Sequence, residues 1–412
     1  MFDLLGFTCI VLVSLITVFI ALRYSDISKI ILTALIVRIS FLLIGHYVTP
    51  LPDSTADAIT FERIASLMSN EGLSEVLSQF RGPDPRFISW LIAIPYSLFG
   101  RSILMAKSMS LLFGIGSVFL GWLVAKKIWN NRTANKVGWA LALFPSLVLY
   151  SVIIMREVYI VFFLLLALYG VIDWVKTDSL KSILLAITGF IFATFFHGGM
   201  IVGGIVFLSI IGISSLKRLF QLLINIRINL KILLFLTLFI VSAGFYLSNK
   251  ISVPYLGSFE TSTNIQILLD KTNIATRGVA SWPEWLIISS PIEMIYKAPI
   301  RSIYVVFAPF PWDILKLKHL IGMFDAFLYM YLSYLIFKNR KVIWKDPTLR
   351  ILLLILVSYI FVFGIGVGNF GTGIRHRSKF VVIFILLAAP LLKKFILSKD
   401  KEKMENFKNI LK

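Results

Sequence analysis

An all-α, polytopic integral membrane protein is the fold class this sequence predicts, and three observations predict it. Hydrophobic residues make up 58% of the 412. They gather into runs of roughly 17–20 residues almost without charge, the length a helix needs to cross the hydrocarbon of a bilayer. Most of the charged residues fall between those runs. The single cysteine, Cys9, lies inside the first run, which leaves no intramolecular disulfide and no cysteine metal site. Lys and Arg number 41 against 21 Asp and Glu, a formal net charge of +20. Because the basic residues are spread through short loops, the excess reads as membrane topology and no nucleic-acid partner is expected.

In order, the apolar runs at 4–22, 30–48, 103–125, 137–155, 158–174, 182–196, 198–213, 231–248, 319–337, 349–367 and 379–397 predict about eleven transmembrane helices. The first lacks a basic leader and a small-residue cleavage site, so it is expected to be retained as a span. Arg23 and Lys29, the cluster Lys126, Lys127, Arg132 and Lys136, then Lys176 and Lys181, Lys217 to Lys231, Lys338 to Lys341 and the tail after Lys393 alternate with the runs. All fall on one side provided that Phe87 to Phe99 does not cross. With Pro95 inside a run of about 13 residues, that segment is expected to lie at the interface. The positive-inside tendency makes the basic side cytoplasmic, together with the C-terminus. One membrane domain is expected over 1–397, with interfacial helices in outer loops at 49–102 and 249–318, followed by a charged cytoplasmic tail over 398–412. No fixed-period repeat or low-complexity tract is present.

This layout gathers the chemically interesting polar residues on the outer face. The segment Thr49 to Arg86 holds Asp53, Asp57, Glu62, Glu71, Glu75 and Asp84, six of the 21 carboxylates. Asp57, Phe61, Ile64, Ala65 and Met68 follow helical spacing, which puts Asp57 on an apolar stripe where an ionised group is expensive. Ser54-Thr-Ala-Asp57 also fits a capping box, with the acid favoured by the helix dipole. Asp53, after Pro50 and Pro52, is a second candidate acid or a turn residue. A carboxylate partly desolvated at the interface is poised to act as a general base.

Arg156-Glu157 stands in a turn between two spans, where an arginine either snorkels to head groups or forks onto a phosphate while Glu157 orients it or assists with protons. Gly371-Thr-Gly-Ile-Arg375-His376-Arg377-Ser-Lys379 brings positive charge to a short outer loop, against the usual sidedness, which an anionic ligand or outer-leaflet head groups would explain. The preceding Gly364, Gly366 and Gly368 suit close helix packing. His197, followed by Gly198, Gly199, Gly203 and Gly204, reads as a helix-hairpin tip or as a proton or metal residue. With no carboxylate or imidazole at ligand spacing, no metal is expected. Arg38 and Asp325 are midplane charges of opposite sign, readable as a buried pair or as a transport pathway.

The order of these features resembles the C-type (GT-C) membrane glycosyltransferases, particularly the glycosyltransferase family 39-like and oligosaccharide repeat-unit (O-antigen) polymerase-like proteins of bacterial surface-polysaccharide pathways. The residues that carry the resemblance are Asp53 and Asp57 in the first outer loop, the segment ending Tyr96-Ser-Leu-Phe-Gly100, Ala125-Lys-Lys-Ile-Trp129, and Phe144-Pro145-Ser-Leu-Val-Leu-Tyr150-Ser151 leading to Met155-Arg-Glu157. Phe307-Ala-Pro-Phe-Pro-Trp312 and Arg375-His-Arg377 are similar to later elements. The match covers the first 175 residues or so best, and it rests on order and sidedness, since no one motif is highly specific.

The resemblance implies a transferase of the bacterial inner membrane, active at its periplasmic face on sugars or oligosaccharides carried by polyprenyl phosphate or diphosphate, with other polysaccharide-assembly membrane proteins as possible partners. It implies Asp57, with Asp53 as competitor, as the base for an acceptor hydroxyl. Arg156, Arg375 and Arg377 are implied as holders of the phosphate leaving group, with His376 and His197 beside them. The spacing of Asp53 and Asp57 departs from the adjacent Asp-Glu common in family 39, which leaves the identity of the base and any metal or other cofactor open. A transporter or flippase of lipid-linked saccharides, leaning on Arg38, Asp325 and the short helices 182–213, is the rival expectation. A ligase moving finished polymer is a third.

Overall fold

The computed structural model describes residues 3–222, 237, 241, 281–314 and 317–393. Among them the regular structure is helical, apart from an isolated bridge between Ser281 and Asn369. The helices are α1 (Leu4–Arg23), α2 (Ser25–Tyr47), α3 (Asp57–Ser69), α4 (Leu73–Ser78), α5 (Phe87–Phe99), α6 (Ile103–Ile128), α7 (Asn131–Leu143), α8 (Pro145–Tyr150), α9 (Glu157–Thr177), α10 (Leu180–Phe196), α11 (Ile201–Leu222), α12 (Pro291–Phe307), α13 (Leu317–Lys338), α14 (Arg340–Lys345), α15 (Pro347–Gly366) and α16 (Phe370–Ala388). Among the described residues six stretches, comprising α1, α2, α6, α9, residues Gly198–Leu216 and α15, are long and apolar enough to cross a membrane.

Three expected spans depart from that list for local reasons. The run 137–155 is not one helix: Phe144 takes an extended ψ of 121° before Pro145, so α7 ends and a separate short α8 starts. The run 182–196 forms α10, which at 17 residues is short for a crossing. The run 319–337 is not one of these three: it forms the 22-residue helix α13, with Asp325 buried within it. The run 379–397, described as far as Lys393, falls in a helix that ends at Ala388 and begins nine residues earlier, at Phe370, because the Asn369 side chain caps it by accepting from the Thr372 N–H at 2.8 Å. The basic run from Arg375 therefore occupies helix, where a loop was expected. Phe87–Phe99 is the short apolar helix α5. The run 231–248, apart from residues 237 and 241, and the tail 398–412 lie outside the described residues.

Different side-chain contacts tie the two ends of the bundle. At one end Lys126 lies 3.7 Å from Asp26, Lys127 pairs with Asp173, Lys136 donates to the Pro390 carbonyl at 2.9 Å and the Asn339 amide reaches the Leu387 carbonyl at 3.0 Å. These contacts tie the C-terminal ends of α6, α9, α13 and α16 to the N-terminal ends of α2 and α7. At the other end Ser102 donates to Asp3 at 2.6 Å and Lys107 to the Gly45 carbonyl at 3.3 Å. Lys126, Lys127 and Lys136 meet at one end, as their grouping in the sequence leads one to expect, while Arg227, Lys231 and the tail from residue 394 lie outside the described residues.

Helix contact in such a bundle depends on close packing and internal hydrogen bonds, since lipid tails are as apolar as leucine. Gly170 of α9 faces the Ala186 and Ser182 backbone of α10, and Gly189 of α10 faces the Ala167 backbone of α9; a Cβ at either would collide with main chain. Gly364 of α15 meets Ser302 of α12 in the same way. Gly189→Leu should therefore lower stability by about 1–3 kcal/mol or more through overpacking, read as an earlier thermal transition of the purified protein in detergent. An unchanged transition would mean that α9 and α10 are not seated as closely as described.

Candidate functional site

The end of the bundle opposite Lys126, Lys127 and Lys136 gathers ionisable side chains from α3, α8, α9 and α16 and from the turn between α10 and α11. Asp57 is the first residue of α3, and its carboxylate is about half exposed. The expected capping box does not form, because the Ser54 hydroxyl donates to the Leu51 carbonyl at 2.7 Å and Ala56 is the N-cap. Asp57 still sits in the first turn, where the helix dipole favours an anion. Phe61 and Ala65 on the same stripe are buried, with Ile64 and Met68 partly so.

α3 is held in place from its far side by Glu62, which the sequence grouped with the loop acids. Arg101 grips it bidentately, with Nε and Nη2 each 2.8 Å from a carboxylate oxygen, and the Tyr96 hydroxyl donates to it at 3.2 Å. Burial, and then the adjacent Glu62 charge, push the Tyr96 phenol well up, so it remains a donor.

Arg375, in the second turn of α16, joins two carboxylates. Its Nη1 lies 2.6 Å from Asp57 Oδ2 and its Nε 3.4 Å from Glu157 Oε1. Glu157, the first residue of α9, is 1% exposed and also stands 3.8 Å from Lys379 Nζ. Its second oxygen has no hydrogen-bond partner among the described residues. Lys379 Nζ is 2.8 Å from His376 Nδ1. The His376 ring lies 4.9 Å, edge to face, from the ring of His197 and 4.7 Å from Phe363. His197 is buried at the tip between α10 and α11, where its Nδ1 accepts the Gly199 N–H at 3.2 Å. Arg156 caps α9, with Nη1 3.5 Å from the Pro85 carbonyl and its guanidinium 5.2 Å from the Phe61 ring centroid. Asp53, at a left-handed φ of 59° that aspartate tolerates better than most side chains, accepts from the Tyr150 hydroxyl at 2.9 Å.

The structure thus brings together Asp57, Glu157, Arg156, Arg375, His376 and His197, with Asp53 linked at the edge through Tyr150. Arg377 is not part of this group. Two residues along a helix face nearly opposite ways, and Arg377 turns into the core. There it pairs with Asp325 at 2.7 Å and donates to the carbonyls of Val306, Ala308 and Gly322 at 3.0, 2.6 and 3.0 Å. The expected Arg38–Asp325 pair is therefore not formed. Arg38 instead donates to the carbonyls of Ala142 and Leu141 at 2.8 and 3.2 Å, just where Pro145 has broken the helix ladder. Lys379 and Tyr150 are site residues that the sequence reading did not single out. The spacing of His376 and Lys379, one helical turn apart, was the available signal for the first.

Chemically the cluster offers a half-exposed carboxylate, a buried one, and three cationic side chains around them. Among the described residues no three of His, Cys, Asp and Glu lie together so as to hold a metal ion. No protein family, no curated protein and no solved structure matches the chain.

Arg377 and Asp325 give a structural control for any test of the site. Removing one partner should destabilise the protein by about 3–5 kcal/mol by stranding a buried charge, so Arg377→Met alone should lower the melting temperature in detergent. The double variant Arg377→Met with Asp325→Leu should recover much of that loss. Equal melting temperatures for the single and double variants would contradict the pairing.

Proposed function

We propose that this chain is an integral-membrane glycosyltransferase of GT-C-like architecture, crossing the bilayer about eleven times when short and broken helices such as α7–α8 and α10 are counted. It transfers sugar or oligosaccharide from a polyprenyl-(di)phosphate carrier at the periplasmic face of a bacterial inner membrane, as the polymerase of a surface polysaccharide. The observation that carries the reading is the Asp57–Arg375–Glu157 chain at the end of the bundle away from Lys126, Lys127 and Lys136. A transfer of this kind needs a base for an acceptor hydroxyl and cations for a departing phosphate. Both are within reach of one another here, at the edge of an apolar bundle.

In the proposed reaction the acceptor hydroxyl gives its proton to Asp57 while its oxygen bonds to the anomeric carbon. The bond from that carbon to the carrier phosphate breaks, and the phosphate keeps the electron pair. Arg375 and Arg156, with His376, Lys379 and His197 behind them, stabilise the charge that develops on the leaving group. Arg375 holds Asp57 in the resting state, so a phosphate that takes over the guanidinium releases the carboxylate to act as base. Glu157 keeps Arg375 and Lys379 oriented. Arg38 and Asp325, on which the transporter reading leans, are each engaged in a separate set of internal bonds.

Asp57→Asn should reduce product formation by about 10²–10⁴-fold in membranes supplied with a polyprenyl-diphosphate-linked oligosaccharide, at unchanged protein level, with Asp53→Asn milder. Wild-type rates for Asp57→Asn would remove it as the base. Sidedness is tested on a Cys9→Ser background. A cysteine at Ser74 should react with a membrane-impermeant maleimide added from the periplasmic side, and one at Ser179 should not. The reverse pattern would place the cluster on the wrong face for this chemistry.

A further inference from the structure

The outer segment between α3 and α5 contains a groove that the chemistry above does not use. It has a volume of about 130 Å³ and runs between Ile64 and Met68 of α3 and residues 79–90. Its floor is aromatic. Phe80, 46% exposed, packs on Trp90 at 4.9 Å and on Phe87 at 6.3 Å between ring centroids. The indole N–H of Trp90 is already committed to the Val76 carbonyl at 2.7 Å, so what Trp90 offers a ligand is its ring. The rim is polar and of both signs, formed by Gln79, Arg81, Asp84 and Arg86. Asp84 accepts the Arg86 backbone N–H at 2.7 Å, and Gly82, at a φ of 71°, supplies the left-handed turn that folds this loop over the floor.

An aromatic floor with a rim of amide, guanidinium and carboxylate matches one ligand chemistry well. A pyranose ring has an apolar C–H face that lies on an aromatic ring, and a perimeter of hydroxyls that both donate and accept. A purely apolar ligand would strip water from the charged rim without replacing its hydrogen bonds, and a bare anion would gain nothing from the floor.

The groove lies beside the candidate site. Arg156 reaches the Pro85 carbonyl, and Phe87 lies 5.0 Å from Phe196, the neighbour of His197. Yet Ile64 and Met68 follow Asp57 by seven and eleven residues, a distance of roughly 10–16 Å along a helix. One sugar ring cannot occupy both places; a chain of several can.

We propose that this groove binds a distal sugar of the acceptor, so that the acceptor is an oligosaccharide whose reactive end lies at Asp57. The proposal rests on the transferase reading and specifies its acceptor. It is tested by saturation-transfer NMR on the detergent-purified full chain, with maltohexaose, chitohexaose and hexagalacturonate as probes beside the corresponding monosaccharides. At least one hexasaccharide should bind more tightly than its monosaccharide, and Phe80→Ala and Arg81→Ala should each weaken that binding about ten-fold. Absence of binding by all three, or binding that neither substitution changes, overturns the groove. The two readings fail separately. Groove-dependent binding in a protein that transfers nothing from a lipid-linked donor overturns the transferase alone. Transfer that proceeds equally to short and long acceptors, and is indifferent to Phe80→Ala, overturns the groove alone.

Discussion

The arrangement of this end of the protein depends on one guanidinium. Arg375 reaches Asp57 across 318 residues of sequence and Glu157 across 218, and so joins α16 to α3 and α9. Glu157 is almost completely buried, and a carboxylate in that position is tolerable only if cations compensate it. Arg375 and Lys379 supply that compensation, with Arg156 beside them. The same charges that make the bundle end stable are therefore the ones available to a substrate. Under the proposed function an anionic ligand would enter the cluster by exchanging with a carboxylate already there, and the ion pairs of the scaffold would then also be its binding site.

Much of this was legible in the sequence, because membranes impose strong rules. Apolar runs located the long helices, and the cluster Lys126, Lys127 and Lys136 falls at one end of the bundle as its grouping suggested. Asp57 stood out because an acid on an apolar stripe is costly without a partner, and a partner is what the fold provides. Arg375 stood out because positive charge on that face runs against the usual bias. Neither inference needed a contact map; each followed from the cost of placing a charge where the pattern put it.

What was not legible depended on helix phase and on tertiary choice. Arg375, His376 and Arg377 read as one basic loop, yet Asn369 caps a helix there, and about 100° of rotation per residue sends Arg377 to the opposite side. Gly371 and Gly373 concealed that helix by resembling a loop. Arg38 and Asp325 looked like natural partners because they were midplane charges of opposite sign. Each instead found a nearer solution, Arg38 in the carbonyls left over where Pro145 ends α7 and Asp325 in Arg377. Sequence shows that a buried charge must be satisfied, but many groups can satisfy it, and only packing selects one.

That selection bears on how the proposed chemistry would be controlled. Arg375 and Arg377 are chemically identical and two residues apart, but one is bound to a half-exposed carboxylate and the other to a buried carboxylate and three carbonyls. Displacing Arg377 would cost several hydrogen bonds in the core, so it stays put. Arg375 can trade Asp57 for a phosphate oxygen at little net loss, because one charge-assisted bond replaces another. Its second tie, to Glu157, keeps the guanidinium in place during the exchange. A base that is free only while the leaving group occupies its cation would be active only with donor bound, which couples proton abstraction to the presence of the phosphate through a single side chain.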